Sequence, residues 1–118
     1  MRKNLDQLCA KYGCRFGNKI SESLLRTGLG ILQEQGFYAL LLYFNNKKED
    51  SGEVALDLIE ELIQEDLDYK TKKNLLKEFS DKNGVFSDLE TLIFLIQIIE
   101  RCLIYALFHS KANSNSKK

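Results

Sequence analysis

TGLGILQEQGFYALLLYF, Thr27 to Phe44, is the stretch on which the fold turns. It holds Gly28, Gly30 and Gly36, three of the chain's seven glycines, and then eight apolar or aromatic residues in a row from Phe37. Gly36 follows a helical run ending in LQEQ, where a helix stop needs a left-handed residue, and glycine takes that conformation without steric cost. The next segment, FYALLLYFNN, is apolar on every side of a helix and is therefore expected to be buried on every side. About 20 apolar residues are needed to span a bilayer as a helix, so this short segment reads as a core element.

Working toward the N-terminus, Leu5, Cys9, Tyr12, Phe16 and Ile20 recur at spacings of three and four, the amphipathic helix period. The same face continues through Leu24 and Ile31, so one long helix from about Asn4 to Gln35 is one expectation. A break near Asn18–Ser21, with Ser21 as the cap, is the other. Gly13 and Gly17 each cost such a helix about 1 kcal/mol relative to alanine. They share a face, where small side chains let another backbone approach.

Toward the C-terminus, NNKKEDSGE reads as a polar loop, with Ser51 as cap of an acidic helix from about Gly52 to Glu65. Val54, Leu58, Ile59, Leu62 and Ile63 form its apolar stripe. TKKNLLKEFSDKNG reads as a short helix stopped by Asn83–Gly84. SDLE, Ser87 to Glu90, has capping-box spacing and opens the longest apolar segment, Leu89 to about Ser110. Gln97, Glu100 and Arg101 are the only strongly polar residues between Leu92 and Phe108. Central Glu and Arg are costly in a bilayer, so this segment reads as a bundle helix buried on most of its circumference. The expected fold is all-α: a single compact bundle of about five helices at residues 1–112, with a long N-terminal helix, a buried C-terminal helix and a disordered tail at 113–118.

At 118 residues the chain is one domain, and 44% hydrophobic with 29% charged residues excludes global disorder. The 17 basic and 17 acidic residues cancel, which argues against a strongly basic nucleic-acid binder. They are nevertheless segregated. Glu49 to Asp68 carries nine acidic side chains and no basic one, whereas Met1 to Gly36 has six basic against three acidic. Such poles suit an anionic ligand or association between copies of the chain. Cys9, Cys14 and Cys102 are odd in number and MRKNLDQLC is no signal peptide, so reduced cytoplasmic thiols are expected. Without a second Cys/His pair, no metal site is expected.

Catalytic patterns are sparse. Arg101 and His109 share a helix, but lie about 80° apart around its axis, and His109 has no acidic neighbour in sequence to set its tautomer. Asp57, Glu60, Glu61 and Glu65 offer carboxylates without the Glu-x-x-His pairs that di-metal bundles use. On a continuous first helix, Lys11, Arg15, Lys19 and Arg26 would fall within one quarter of the circumference. That makes a basic stripe about 22 Å long, able to track several phosphates.

The architecture and the Thr27–Phe44 stretch resemble the small all-helical subunit of type III (Cmr-type) CRISPR effector complexes. Members have a long first helix ending in an apolar LP, then NGL, then a buried helix near TLAFL. Here Gly28–Leu29 stands at the LP, Gln35–Gly36–Phe37 at the NGL and Leu40–Phe44 at the buried run; ERCLIYALFHSKA matches the closing aromatic and basic segment. The proline is missing, and Gln35 replaces the asparagine. The resemblance implies a non-catalytic, cofactor-free cytoplasmic protein that stacks with copies of itself and with other effector subunits and helps hold target RNA. Lys11, Arg15, Lys19 and Arg26 are its RNA-binding candidates. The other readings are a helical adaptor that binds no nucleic acid and a small helical RNase using Arg101 and His109.

Overall fold

The computed structural model describes residues 4–69, 75–79 and 85–116. Among them the chain is all-α, with six α-helices and no strand. In chain order these are α1 (Leu5–Lys19), α2 (Glu22–Gln35), α3 (Phe37–Asn46), α4 (Gly52–Glu61), α5 (Leu75–Glu78) and α6 (Leu89–Ser116). Short 3-10 turns occupy Lys48–Asp50 and Val85–Ser87, and α4 runs directly into a π turn at Leu62–Asp66.

The single long N-terminal helix does not form. Asn4 caps α1 by accepting from Gln7 N at 3.0 Å, and α1 ends at Lys19. Ile20 then takes an extended conformation, and Ser21 Oγ accepts from Leu24 N at 3.2 Å. A serine cap is worth about 1 kcal/mol. Ile20 and Leu25, at the two positions of a hydrophobic staple, are both buried and fix the turn.

Gly36 ends α2, and its N–H is shared between the carbonyls of Ile31 and Leu32, each at 3.2 Å. Its φ of 100° is positive as expected, but ψ of −178° lies outside the left-handed helical well, in a region reserved almost wholly for glycine. The chain therefore reverses into α3 within one residue. Phe37, Leu40, Leu41 and Phe44 of α3 are buried, while Tyr38 and Leu42 reach the surface. Burial on every side was too strong an expectation, since Tyr38 and Leu42 remain 45% and 38% exposed.

Two further caps differ from the sequence reading. Ser51 adopts a left-handed φ of 72° that turns its hydroxyl back to the Asp50 carbonyl, so it does not cap α4. Asp88, rather than Ser87, caps α6: its Oδ2 accepts from Thr91 N at 3.2 Å while its carbonyl accepts from Leu92 N. Helix α6 is described through Ser116, past the end near Ser110 that the apolar run suggested and into the residues assigned to a tail. The Asn83–Gly84 stop lies outside the described residues.

Helix α6 is the centre of the bundle, and α1 lies along it, with α2 also in contact. The glycine face of α1 makes this close. A Cβ at Gly13 would lie 2.5 Å from Tyr105 Cβ, and one at Gly17 would lie 2.8 Å from Ala106 O. Leu95, Ile99, Cys102, Leu103 and Ala106 of α6 are fully buried. The opposite face is not: Leu89, Ile93 and Phe108 are exposed at 68%, 47% and 65%, so α6 is covered on one side only. Its Leu89–Lys111 portion is long and apolar enough to cross a membrane by length and composition, with a third of its most apolar window buried. Beside α3, Phe37, Phe79 and Phe86 form an aromatic cluster with centroids 4.4–5.8 Å apart.

Candidate functional site

The densest polar constellation among the described residues lies where α1 meets the end of α4. The acidic stretch has no cation of its own, so its counter-charges come from elsewhere, and α1 supplies them. Arg15 donates from Nη2 to Glu61 Oε1 at 3.0 Å and from Nη1 to Glu61 Oε2, a forked pair. Lys11 Nζ lies 3.7 Å from Asp66 Oδ2. Between them, the fully buried Tyr12 donates to Asp66 Oδ2, with Glu61 Oε2 also at 3.2 Å. The Arg15 guanidinium and the Lys11 ammonium stand 5.1 and 5.4 Å from the Tyr12 ring centroid.

The π turn makes this cluster. On a regular α-helix Glu61 and Asp66 would point about 140° apart. In the wide turn, closed by Leu67 N donating to Leu62 O at 2.9 Å, five residues make about one revolution. Both carboxylates then face α1. Burial and the two carboxylates push the Tyr12 phenol well above its ordinary range. The Arg15 guanidinium holds the Glu61 carboxyl below the usual range, with the Tyr12 phenol adding to the effect. The phenol is thus locked neutral and the carboxylate locked ionised. Such a group can tie two helices together, but it offers no poised acid or base at neutral pH.

The four basic candidates are not one stripe. Lys11 and Arg15 belong to this cluster. Lys19 is the last residue of α1 and is exposed, with no ion pair among the described residues. Arg26 lies beyond the break, on α2, and pairs with Glu22 one turn away at 3.1 Å, the arginine largely exposed and the glutamate partly so. The break at Ile20–Ser21 redirects the axis, so the angular sum that aligned all four does not apply.

Arg101 and His109 both come near Asp6, His109 lining a groove with Asp6, Tyr105 and Phe108. Arg101 lies 4.0 Å from Asp6, and Tyr105 donates to the same carboxylate at 2.5 Å. His109 is further along α6, against Gly17. Of the acidic candidates, Glu61 alone joins the Tyr12 cluster, while Glu60 accepts from Gln64 at 3.2 Å. Among the described residues no group of three or more His, Cys, Asp or Glu could hold a metal ion. No protein-family model, curated protein or solved structure matches the chain.

Tyr12 and Asp66 were absent from the sequence candidates. Tyr12 hid within the apolar period of α1, and nothing in LIQED announces a π turn. One signal was present: an acidic run without a single cation must find its counter-ions on another element, and α1 is one of the basic segments that can supply them, although Lys47, Lys48, Lys70 and Lys72 lie nearer in sequence.

Proposed function

We propose that the chain is a non-catalytic small subunit of a type III CRISPR RNA-guided effector complex, cytoplasmic and cofactor-free. It stacks beside other effector subunits and copies of itself and helps hold target RNA. The observation that carries this reading is the stop at Gly36. Its positive φ permits a one-residue reversal between α2 and the partly buried α3, at the glycine of the QGF triplet whose place and sequence resemble the family's NGL. Leu89 and Ile93 at the start of α6 and Phe108 near its end are exposed, with Gln97 and Arg101 on the same side between them, and these two apolar spots give such a subunit contact points for its neighbours. Its RNA contacts fall chiefly on Lys19, which has no ion pair among the described residues, and on Arg26, whose pair with Glu22 lies within one helix at the surface; Arg15 and Lys11 are engaged with the carboxylates of another element.

A second reading, a helical adaptor without nucleic-acid binding, is favoured by that same neutralisation of Lys11 and Arg15. Purification of the tagged chain from its own cells separates the two. The CRISPR reading expects guide RNA and backbone subunits to co-purify; a stable protein complex free of RNA would overturn it in favour of the adaptor.

A further inference from the structure

Two of the three cysteines are brought together in the core, and neither belongs to the polar cluster. We propose that Cys9 and Cys102 are a peroxide-oxidisable dithiol whose disulfide staples α1 to α6. The two helices run in the same direction here and approach most closely at Gly13, where a Cβ would lie 3.2 Å from Cys102 O. Cys9 sits one turn before Gly13 on α1. Its Sγ lies 3.8 Å from Ile98 O, the carbonyl one turn before Cys102 on α6. Cys9 is therefore held over the α6 backbone at the level of Cys102, and both residues are fully buried. Helices this close bring facing Cβ atoms into the range that a disulfide spans, about 3.5–4.5 Å. Cys14 points about 140° further round α1, is only partly buried, and accepts from Asn18 Nδ2 at 3.5 Å.

The two thiols are unequal. The Cys102 thiol, hydrogen-bonded to Cys9, holds the Cys9 thiol below its ordinary range, and the charge of Arg101 adds to this. Its neighbour Cys9, together with burial, pushes Cys102 up. Cys9, the one of the two that lines a groove, is the attacking sulfur and Cys102 the resolving one. That groove, of about 500 Å³ beside Leu5, Phe94 and Arg101, opens a route for a small oxidant.

The step balances with hydrogen peroxide as oxidant. The Cys9 thiolate attacks one peroxide oxygen, the O–O bond breaks, and hydroxide leaves, giving a sulfenic acid at Cys9. Cys102 sulfur then attacks Cys9 Sγ, the S–O bond breaks, and the departing hydroxide takes up the Cys102 proton as water, while the hydroxide from the first step takes up the proton that the Cys9 thiol had lost. Two thiols and one peroxide become one disulfide and two waters.

The test oxidises the full native chain with a few equivalents of hydrogen peroxide, then blocks free thiols and maps peptides by mass. The expected product is a monomer two hydrogens lighter, with one free thiol at Cys14 and a Cys9–Cys102 peptide. Its urea midpoint should lie above that of the untreated chain and return with dithiothreitol. The same treatment in urea should yield a mixture of pairings that includes Cys9–Cys14. Native oxidation confined to Cys14, disulfide-linked dimers, or the urea mixture of pairings would each overturn the proposal. Cys14→Ser should leave the native product unchanged.

Discussion

The phenol of Tyr12 donates to the carboxylate of Asp66 across 54 residues of chain. It does so only because a π turn rotates Asp66 onto the side of Glu61. The interaction joins α1 to the end of α4, elements that otherwise touch lightly. Tyr12→Phe should keep the ring in the core and remove the phenol's one proton, which Asp66 and Glu61 share. Hydrogen bonds to charged groups are worth about 1.5–3 kcal/mol, but the carboxylates of Asp66 and Glu61 remain 25% and 39% exposed and can rehydrate. The expected loss is about 1–2 kcal/mol in urea unfolding. A loss near 4 kcal/mol would mean that the ring packing, not the phenol, had been disturbed.

The same cluster predicts loss of stability at both pH extremes. Arg15 depresses the folded-state pKa of Glu61. A depressed carboxyl contributes stability that is present above the unfolded value, near pH 4.3, and is lost as pH falls through the folded value. Tyr12 is shifted the other way. Its contribution is complete below the unfolded tyrosine value, about pH 10, and declines above it as the unfolded chain alone ionises. Unfolding free energy should therefore fall below about pH 4 and above about pH 10. Arg15→Ala should flatten the acid limb and Tyr12→Phe the alkaline one. Equal slopes in variant and parent would remove the cluster as the cause.

The glycines of the helices should respond oppositely to alanine. Gly30 has nothing within 4 Å of an added Cβ, so Gly30→Ala should stabilise α2 by about 1 kcal/mol from helix propensity alone. At Gly13 the same gain is available, yet the new methyl would meet Tyr105 Cβ at 2.5 Å. Forcing α1 from α6 should cost about 1–3 kcal/mol, leaving Gly13→Ala net destabilising. Gly36→Ala also has free space, so its cost, about 1–3 kcal/mol, is backbone strain alone. Melts of the three variants check all signs at once.

The sequence carried the helices, the Gly36 stop and the glycine face of α1, because each is written in local period or in residues whose backbone preference is nearly unique. It offered both a continuous and a broken first helix, since Ser21 lies in a stretch whose apolar period continues unbroken through Leu24. The basic stripe failed with the continuous helix on which it depended. Where Arg15 would find a carboxylate was hidden, because a π turn has no periodic signature. The bare face of α6 was hidden too: Leu89, Ile93 and Phe108 look like core residues until the number of helices packed around them is known.

The last prediction concerns RNA and follows from how the four basic side chains are distributed. Lys19 and Arg26 are exposed, and the one ion pair between them, Arg26 with Glu22, is a surface pair worth little. Lys11 and Arg15 have opposed carboxylates that an RNA phosphate would have to displace. Lys19→Ala with Arg26→Ala should leave the fold intact. If each residue contacts a phosphate, the slope of log affinity for single-stranded RNA against log salt should become shallower by about 0.7 per contact. Lys11→Ala with Arg15→Ala should instead lower stability and leave that slope nearly unchanged, because the charges removed were already neutralised. The measurement is RNA binding by both double variants across a salt series, within the assembled complex where one is obtained. If the Lys11/Arg15 variant alone loses slope, the cluster opens to receive RNA. If neither does, the surface takes no part in RNA binding and the adaptor reading stands.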